Sequence, residues 1–569
     1  LPGVSNTLGT QTSYNQQFLV VANDDNELAF LAVESPTSTL GSSREWSATV
    51  LTHLTLQPED ESIFADPTFF DDLMRQQRFI SHVAWSPWIA RGDCHQSVVF
   101  YATNEDVRGR LVILSNGNIT LGDEVVYPKI RLRHRGPITW CPRADDSDKL
   151  TVALFTSSGL DYLTISGSDA SMMSRMSHDL DGRWDQVSGA VWDCEHHPSP
   201  RLHFSSLLST ILSPTAVLEQ SATSLTGLKA PNWREKIENS VVLFSVKNDL
   251  EGYSKTKVWG LTRSPLGDFI AACNTLHPSD SIEYGPPADR RGTVALSTLH
   301  QYSKIREGFP AKNVTAEGVL WTLKKLVENT VEDADQMPTF AEEVVGKLMQ
   351  AYGPIVASDV GVTTITEDVN LKELVERFKV IAVFDENTLR DRYSILVSYA
   401  CNDTSSNELL RTLISYRLAT AIQKLPLSLF QTPFSAEILL HQKRLLTLIS
   451  DLLAPENEDT GSAKEMSVNA ATAATDHCDF CAAPIPFTDL TTATCTNGHQ
   501  FPRCGLSLLA IQAPGITKYC GICSTPFLSE EFVQAQEAVG EETEHPVTLS
   551  RVLFQACDVC VFCGGKFVG

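Results

Sequence analysis

No run of eighteen apolar residues occurs anywhere in this 569-residue chain, so a helical membrane span is not expected. Basic residues are in the minority, 45 Lys and Arg against 69 Asp and Glu, for a net charge of −24. Neutralising phosphates takes clustered Lys and Arg, which argues against a chain that wraps nucleic acid by itself. The motifs of common enzymes are missing too: no Gly-x-x-x-x-Gly-Lys-Ser/Thr loop and no Gly-x-Ser-x-Gly elbow. A Gln/Arg-x-x-Gly-x-Gly/Ala loop for acetyl-coenzyme A is likewise absent, and no enzymatic activity is expected. Cysteine is sparse before residue 478. Only Cys94, Cys141, Cys194, Cys273 and Cys401 occur there, scattered as reduced thiols in an intracellular protein are.

The remaining nine of the fourteen cysteines fall between 478 and 563, spaced as metal ligands are spaced. The pairs are Cys478-Asp-Phe-Cys481, Cys520-Gly-Ile-Cys523 and Cys560-Val-Phe-Cys563. Between the first two pairs lies Cys495-Thr-Asn-Gly-His499-Gln-Phe-Pro-Arg-Cys504. Two residues between sulfurs let one tight turn present both thiolates to one ion, and repeated pairs complete tetrahedral shells. The ligand set is therefore Cys478, Cys481, Cys495, His499, Cys504, Cys520, Cys523, Cys560 and Cys563, holding two structural zinc ions. An interleaved arrangement is favoured: Cys478, Cys481, Cys520 and Cys523 on one ion, and Cys560 and Cys563 with two of Cys495, His499 and Cys504 on the other. A sequential arrangement is the rival. Cys557 is a spare, because Gly564-Gly565 after Cys563 makes the better turn for close backbone approach. His477 and His545 read as ordinary polar residues. Residues 476–569 hold little apolar sequence of their own, and ten acidic against four basic residues suit a protein partner better than DNA.

Hydrophobic content of 42% and charged content of 20% describe a soluble globular chain of about three domains. Residues 1–315 read as all-β. An apolar residue, a spacer, Trp, a small residue and Pro recur as Val83-Ala-Trp85-Ser-Pro87 and Ile138-Thr-Trp140-Cys-Pro142, with a relative running from Val258 to Ala272. A further strand follows each. Strand, turn and strand recurring in this way form the inner part of a WD-type propeller blade, and about seven blades of 40–45 residues would fit. Eight of the nine tryptophans lie here and are assigned to packing between blades. The basic stripe Lys129, Arg131, Arg133 and Arg135 reads as a solvated outer strand, and Cys194-Glu-His196-His197 as a loop.

From residue 316 to 454 the period shifts to that of helices. Val319, Leu320, Leu323, Leu326 and Val327 line one face, and Phe340, Val344, Leu348, Met349 and Tyr352 line the next. Val380–Phe384 is ambiguous between helix and strand, and Ser435 is placed to cap the last helix. Residues 455–475, acidic and then rich in Ser, Ala and Thr, read as a flexible linker to the zinc module at 476–569.

Propeller, helical middle and terminal zinc module together resemble one subunit of transcription factor IIIC, the general factor of RNA polymerase III. The specific residues are Asn497-Gly-His499 and Pro502-Arg-Cys504, followed by Cys520-Gly-Ile-Cys523 and Cys560-Val-Phe-Cys563. The resemblance implies a nuclear, non-enzymatic scaffold subunit that contacts the other subunits of the complex and supports initiation at tRNA-type promoters. Contact with DNA is expected to be indirect. Two alternatives stay open, a propeller with a RING-type ubiquitin ligase and a propeller-based coat or signalling scaffold. The fifteen residues between Cys504 and Cys520 depart from the close spacing of a RING.

Overall fold

The computed structural model describes residues 16–568 apart from 24–25, 35–46, 57–79, 92–93, 104–105, 116–117, 131, 133–135, 143–147, 157–158, 181–186, 195–198, 208–216, 222–223, 229–231, 265, 280–291, 300–314, 332–333, 354–370, 431, 454–475, 530–531 and 534–546. The chain divides into two compact units, one of Gln17–Val33 and Ser47–Tyr302, the other chiefly Ser303–Gly569.

The first unit is a series of antiparallel meander sheets. β1 (Gln16–Ala22), β2 (Glu27–Glu34) and β3 (Ser47–Thr55) form the first. β4 (His82–Trp85), β6 (Cys94–Ala102), β7 (Val107–Ser115) and β8 (Asn118–Tyr127) form the second, with the short β5 (Ile89–Arg91) also paired to β6. The third contains β9 (Ile138–Trp140), β10 (Lys149–Thr156), β11 (Gly159–Ser166) and β12 (Met172–Asp179). The fourth contains β13 (Val187–Asp193), β14 (Arg201–Ser206), β15 (Val217–Gln220) and β16 (Leu225–Gly227). Helix α1 (Asn232–Lys247) precedes the fifth sheet, of β17 (Ser254–Arg263), β18 (Phe269–Pro278) and β19 (Thr293–Thr298). The described residues thus hold five propeller-like sheets, where blades of 40–45 residues led to an expectation of about seven.

The recurring phrase marks one structural position. Ser86 N–H donates to Val98 O at 2.8 Å while Val98 N–H returns a bond to Ser86 Oγ, also at 2.8 Å. Ser264 repeats the exchange with Phe269, at 2.8 and 3.1 Å. Cys141, in the same place after Trp140, donates its N–H to Thr151 O at 2.8 Å. Each serine or cysteine thus locks the first strand of its sheet to the second.

The preceding tryptophan reaches back to the sheet before it. Trp85 meets Phe30 edge-on at 5.6 Å, Trp140 meets Phe100 at 4.7 Å, and Trp192 meets Tyr162 at 5.1 Å. Because side chains alternate across a strand, Val98, Phe100 and Ala102 face one neighbouring sheet while Val99 and Tyr101 face the other. That is why the second strands read as continuous apolar runs. Lys129 sits in a turn at φ +62, and Cys194 Sγ lies 3.1 Å from Cys141 Sγ in the core. The rest of the basic stripe and His196 and His197 lie outside the described residues.

The second unit begins with α2 (Ala316–Thr330), capped by Thr315 Oγ1 accepting from Gly318 N–H at 3.0 Å. α3 (Met337–Tyr352) carries Pro338 in its first turn. α4 (Leu371–Phe378) runs into a single π turn, Lys379–Val383, closed by Phe384 N–H on Lys379 O at 2.8 Å. This resolves the ambiguous apolar stretch: it is helical and wider than an α turn. α5 (Glu386–Cys401), α6 (Asn407–Gln423) and α7 (Pro433–Leu453) follow. The cap of α7 is Thr432, whose Oγ1 accepts from Ser435 N–H at 3.3 Å with Pro433 opening the helix. Ser435, assigned that role from the sequence, lies inside the first turn, and its Oγ accepts from Leu549 N–H at 3.2 Å.

The cysteine-rich segment is not coreless. Leu374, Phe378, Ile414, Leu418, Ile422 and Ile438 share one buried cluster with Leu506, Phe527, Leu528, Val552, Leu553 and Phe562. Half of the module therefore packs on helices α4, α6 and α7. Among the described residues no helix is long and apolar enough to cross a membrane. The 455–475 segment lies outside the described residues.

Candidate metal centres

Two clusters of donor atoms form, and each draws its ligands from consecutive stretches of chain. The first joins Cys478, Cys481, Cys495 and His499; the second joins Cys520, Cys523, Cys560 and Cys563. In each, one ligand atom per residue lies within 4.8 Å of all the others. The interleaved pairing expected from the sequence is thereby replaced by the sequential one.

Strand pairing explains the order. β20 (Asp476–His477) pairs with β21 (Pro484–Ile485), closing a turn that sets Cys478 and Cys481 side by side. β22 (Thr492–Thr494) and β23 (Gln500–Pro502) form a hairpin whose loop carries Cys495 and His499. Thr496 N–H donates to Pro484 O at 3.0 Å and ties that loop to the first pair. Further on, β24 (Thr517–Cys520) pairs with β25 (Pro526–Leu528) on one side and with β26 (Phe567–Val568) on the other. Cys520 stands opposite Phe567, so the end of the chain brings its own cysteines to the third pair. α8 (Leu549–Ala556), capped by Thr548 Oγ1 on Arg551 N–H at 3.3 Å, leads into them.

Cys504 is the one expected ligand that joins neither cluster. β23 carries the chain away from the His499 loop by about 10 Å at 3.3 Å per residue. Its sulfur accepts instead from Leu528 N–H at 3.4 Å and Ser507 N–H at 3.5 Å. Cys557 also stands outside both clusters; its N–H closes α8 on Leu553 O at 3.0 Å, and burial pushes its thiol up to about 12. His477 offers its carbonyl to Gln512 Nε2 and is no ligand, while His545 lies outside the described residues.

The donor spacing fits zinc. Tetrahedral bonds of about 2.3 Å to sulfur and 2.0 Å to nitrogen place neighbouring sulfurs about 3.8 Å apart, and a sulfur and a nitrogen about 3.5 Å apart. In the first cluster Cys481 and Cys495 Sγ are 3.8 Å apart. His499 Nδ1 lies 3.5, 3.3 and 3.6 Å from Cys478, Cys481 and Cys495 Sγ. In the second, Cys520 to Cys563 is 3.4 Å and Cys523 to Cys560 is 3.5 Å.

Backbone geometry supports the same chemistry. The Ala483 amide holds the Cys481 thiol below its ordinary range. Burial acts to raise Cys495, but the His499 and Asn497 amides outweigh it. In the second cluster Cys523 is driven down by Cys520, Cys560 and Cys563, whereas burial together with Cys520, Cys523 and Cys563 drives Cys560 up. Four buried sulfurs this close cannot all be thiolates without a cation among them; a dication removes the conflict. With all four positions filled by protein, each site has the donor set of structural zinc and leaves no place for a substrate.

Three residues brace the sites from outside. Arg503 is fully buried, giving its guanidinium to the carbonyls of Thr492, Leu508 and Pro486 at 3.0–3.3 Å and lying 4.7 Å over Phe487. His441 of α7 meets Asp476, two residues before the first ligand, at 3.1 Å. Arg411 of α6 donates to Cys523 O at 3.3 Å and lies 6.0 Å from the Phe562 ring, so it touches both turns of the second site. Arg503 stood within the Pro-Arg-Cys motif; nothing local in the sequence marked Arg411 or His441.

Residues 5–299, more than half of the chain, match the model of the transcription factor IIIC subunit delta beta-propeller domain. The chain belongs to the transcription factor IIIC delta-subunit family. Residues 461–567 match a second model from the same complex, described as "Putative zinc-finger of transcription factor IIIC complex". The "Putative transcription factor tau subunit sfc9" of Schizosaccharomyces pombe is 28% identical over 91 residues, which is 16% of this chain and 12% of that protein. A solved structure of the Dos1 propeller aligns over 48% of this chain and 69% of its own, at 10% identity and a TM-score of 0.23.

Proposed function

We propose that this chain is a non-enzymatic scaffold subunit of transcription factor IIIC, acting in the nucleus to support RNA polymerase III initiation at tRNA-type promoters. In this reading a propeller (1–315) and a helical domain (316–454) dock neighbouring subunits. A linker (455–475) leads to the zinc module (476–569), which presents a further protein-binding surface. The observation that carries the reading is the presence, on one chain, of both domain types of the complex. The ligands proposed are Cys478, Cys481, Cys495 and His499 for one zinc ion and Cys520, Cys523, Cys560 and Cys563 for a second. Their sequential pairing favours a scaffold over a RING-type ligase, whose two sites interleave. An acidic chain is suited to protein partners, and contact with DNA would pass through other subunits.

The test is affinity purification of the tagged full-length chain from nuclear extract. Recovery of the other transcription factor IIIC subunits is the expected result, and recovery of membrane-coat proteins in their place would overturn it. A ubiquitin-discharge assay on the same material should show no zinc-dependent release from a conjugating enzyme.

A further inference from the structure

Cys141 and Cys194 stand 53 residues apart in the chain, and the fold sets them face to face. Cys141 follows β9 in the third sheet, and Cys194 follows β13 in the fourth. Trp192 Nε1 donates to Thr139 O at 3.2 Å, which holds these two first strands side by side. Two residues beyond that bond on each strand the cysteines meet, Sγ to Sγ at 3.1 Å. Both are 2% exposed, and they share one buried cluster with Phe155, Tyr162, Trp192 and Phe204. A disulfide is about 2.05 Å long, so an approach of about 1 Å separates the pair from a bond. Among the described residues no third Cys, His or carboxylate completes a metal site with them. The chemistry open to two sulfurs so placed is that of a dithiol.

We propose that Cys141 and Cys194 form a dithiol–disulfide couple which, when oxidised, staples the third sheet to the fourth. The oxidant is a small dialkyl disulfide of the glutathione kind. One cysteine thiolate attacks a sulfur of the oxidant and expels one glutathione thiolate, leaving a mixed disulfide. The second cysteine, as its thiolate, attacks the protein sulfur of that mixed disulfide and expels the other glutathione thiolate. The two cysteine protons pass through solvent to the two departing thiolates. Two protein thiols thus become one S–S bond while the oxidant becomes two thiols. In a reducing compartment the dithiol is the resting form. Access sets the rate. Its neighbour Cys141, together with burial, holds the Cys194 thiol far above its ordinary range, and exchange needs the thiolate. The folded pair is therefore slow to react, and the bond once made is equally shielded. Both directions run through openings that part the third sheet from the fourth. A bridge across this span removes freedom from the unfolded chain, so the oxidised first unit is the more stable.

The experiment incubates the full-length chain with glutathione disulfide over a series of urea concentrations below the unfolding transition. Cys273 is exposed and shows that the oxidant is active. After alkylation, peptide mass spectrometry should find Cys273 as a mixed disulfide throughout, and a Cys141–Cys194 linked peptide that forms faster as urea rises. In the linked protein the thermal transition of the first unit should move up by about 5 °C or more, and return on reduction with dithiothreitol. C194A should give neither the linked peptide nor the shift, and the reduced and oxidised wild type decide the matter even where that variant folds poorly. Free Cys141 and Cys194 beside a fully modified Cys273, or a linked protein whose transition stays or falls, would each overturn the proposal. Neither result touches the assembly reading, which the affinity purification tests separately.

Discussion

A Cβ placed on Gly565 would lie 2.8 Å from Cys520 Sγ, closer than side-chain carbons approach sulfur. The glycine therefore lets the end of the chain pass over a ligand of the second site, while Cys560 N–H donates to Gly565 O at 2.9 Å from within that turn. Gly564 beside it turns at φ +77, a conformation that suits glycine. Gly565→Ala must displace either the sulfur or the chain, at a cost of about 1–3 kcal/mol for overpacking. Zinc content measured after mild chelation should fall from two ions per chain to one, and a variant that retains both would show that the turn yields.

Cys504 and Cys520 separate a buried thiol from a ligand. Cys504→Ser keeps a small acceptor for the Leu528 and Ser507 amides and should cost about 1 kcal/mol. Two zinc ions per chain should remain. Cys520→Ser removes one donor of a fully enclosed sulfur cluster and should leave one ion. Inductively coupled plasma mass spectrometry on the two purified proteins distinguishes them, and loss of an ion from the Cys504 variant would restore it to the ligand set.

The contrast shows where sequence reading reaches. Pairs at two-residue spacing, glycines after Cys563 and the Trp-small-Pro phrase are local, and each is legible because one turn decides it. Which pairs share an ion is decided by β24 lying beside β26, a contact between residues nearly fifty apart. Local spacing fits interleaved and sequential arrangements alike, and the interleaved one was favoured, whereas the distant strand pairing enforces sequence order. Likewise the little apolar sequence of residues 476–569 suggested a module without a core. Its Phe527, Val552 and Phe562 find that core on helices more than a hundred residues upstream. Arg411 was illegible for the same reason: on its own helix it is an ordinary charged position.

Trp140 seats on Phe100 of the preceding sheet at 4.7 Å and is 8% exposed. Trp140→Ala should cost about 3–5 kcal/mol, the usual range for losing a large buried aromatic. Because Trp140 belongs to the first unit and the donor clusters to the second, the thermal transition of the first unit should move to lower temperature while bound zinc is unchanged. Zinc loss in step with the destabilisation would mean that the two units unfold together.

The two sites should respond differently to chelation, since their surroundings differ. Around the first, the apolar support is a small cluster of Cys478, Ala483, Ile485, Ala493, Cys495 and Phe501, with His499 exposed at its edge, and only Phe487 of this stretch is buried against α6 and α7, on Ala419, Leu445 and Ile449. Around the second, all four ligands are buried in the core that the helices share. Structural zinc supplies folding energy on the order of 10 kcal/mol, which the first cluster cannot replace from so few side chains. Graded chelation of the full-length chain should therefore release one ion early, with hydrogen-exchange protection collapsing in 476–502. Protection in 517–528 and 549–563 should persist to higher chelator, held by Phe527, Leu553 and Phe562 against α4 and α6. Simultaneous loss of protection in both segments would show that the first site, too, draws its stability from the helical core.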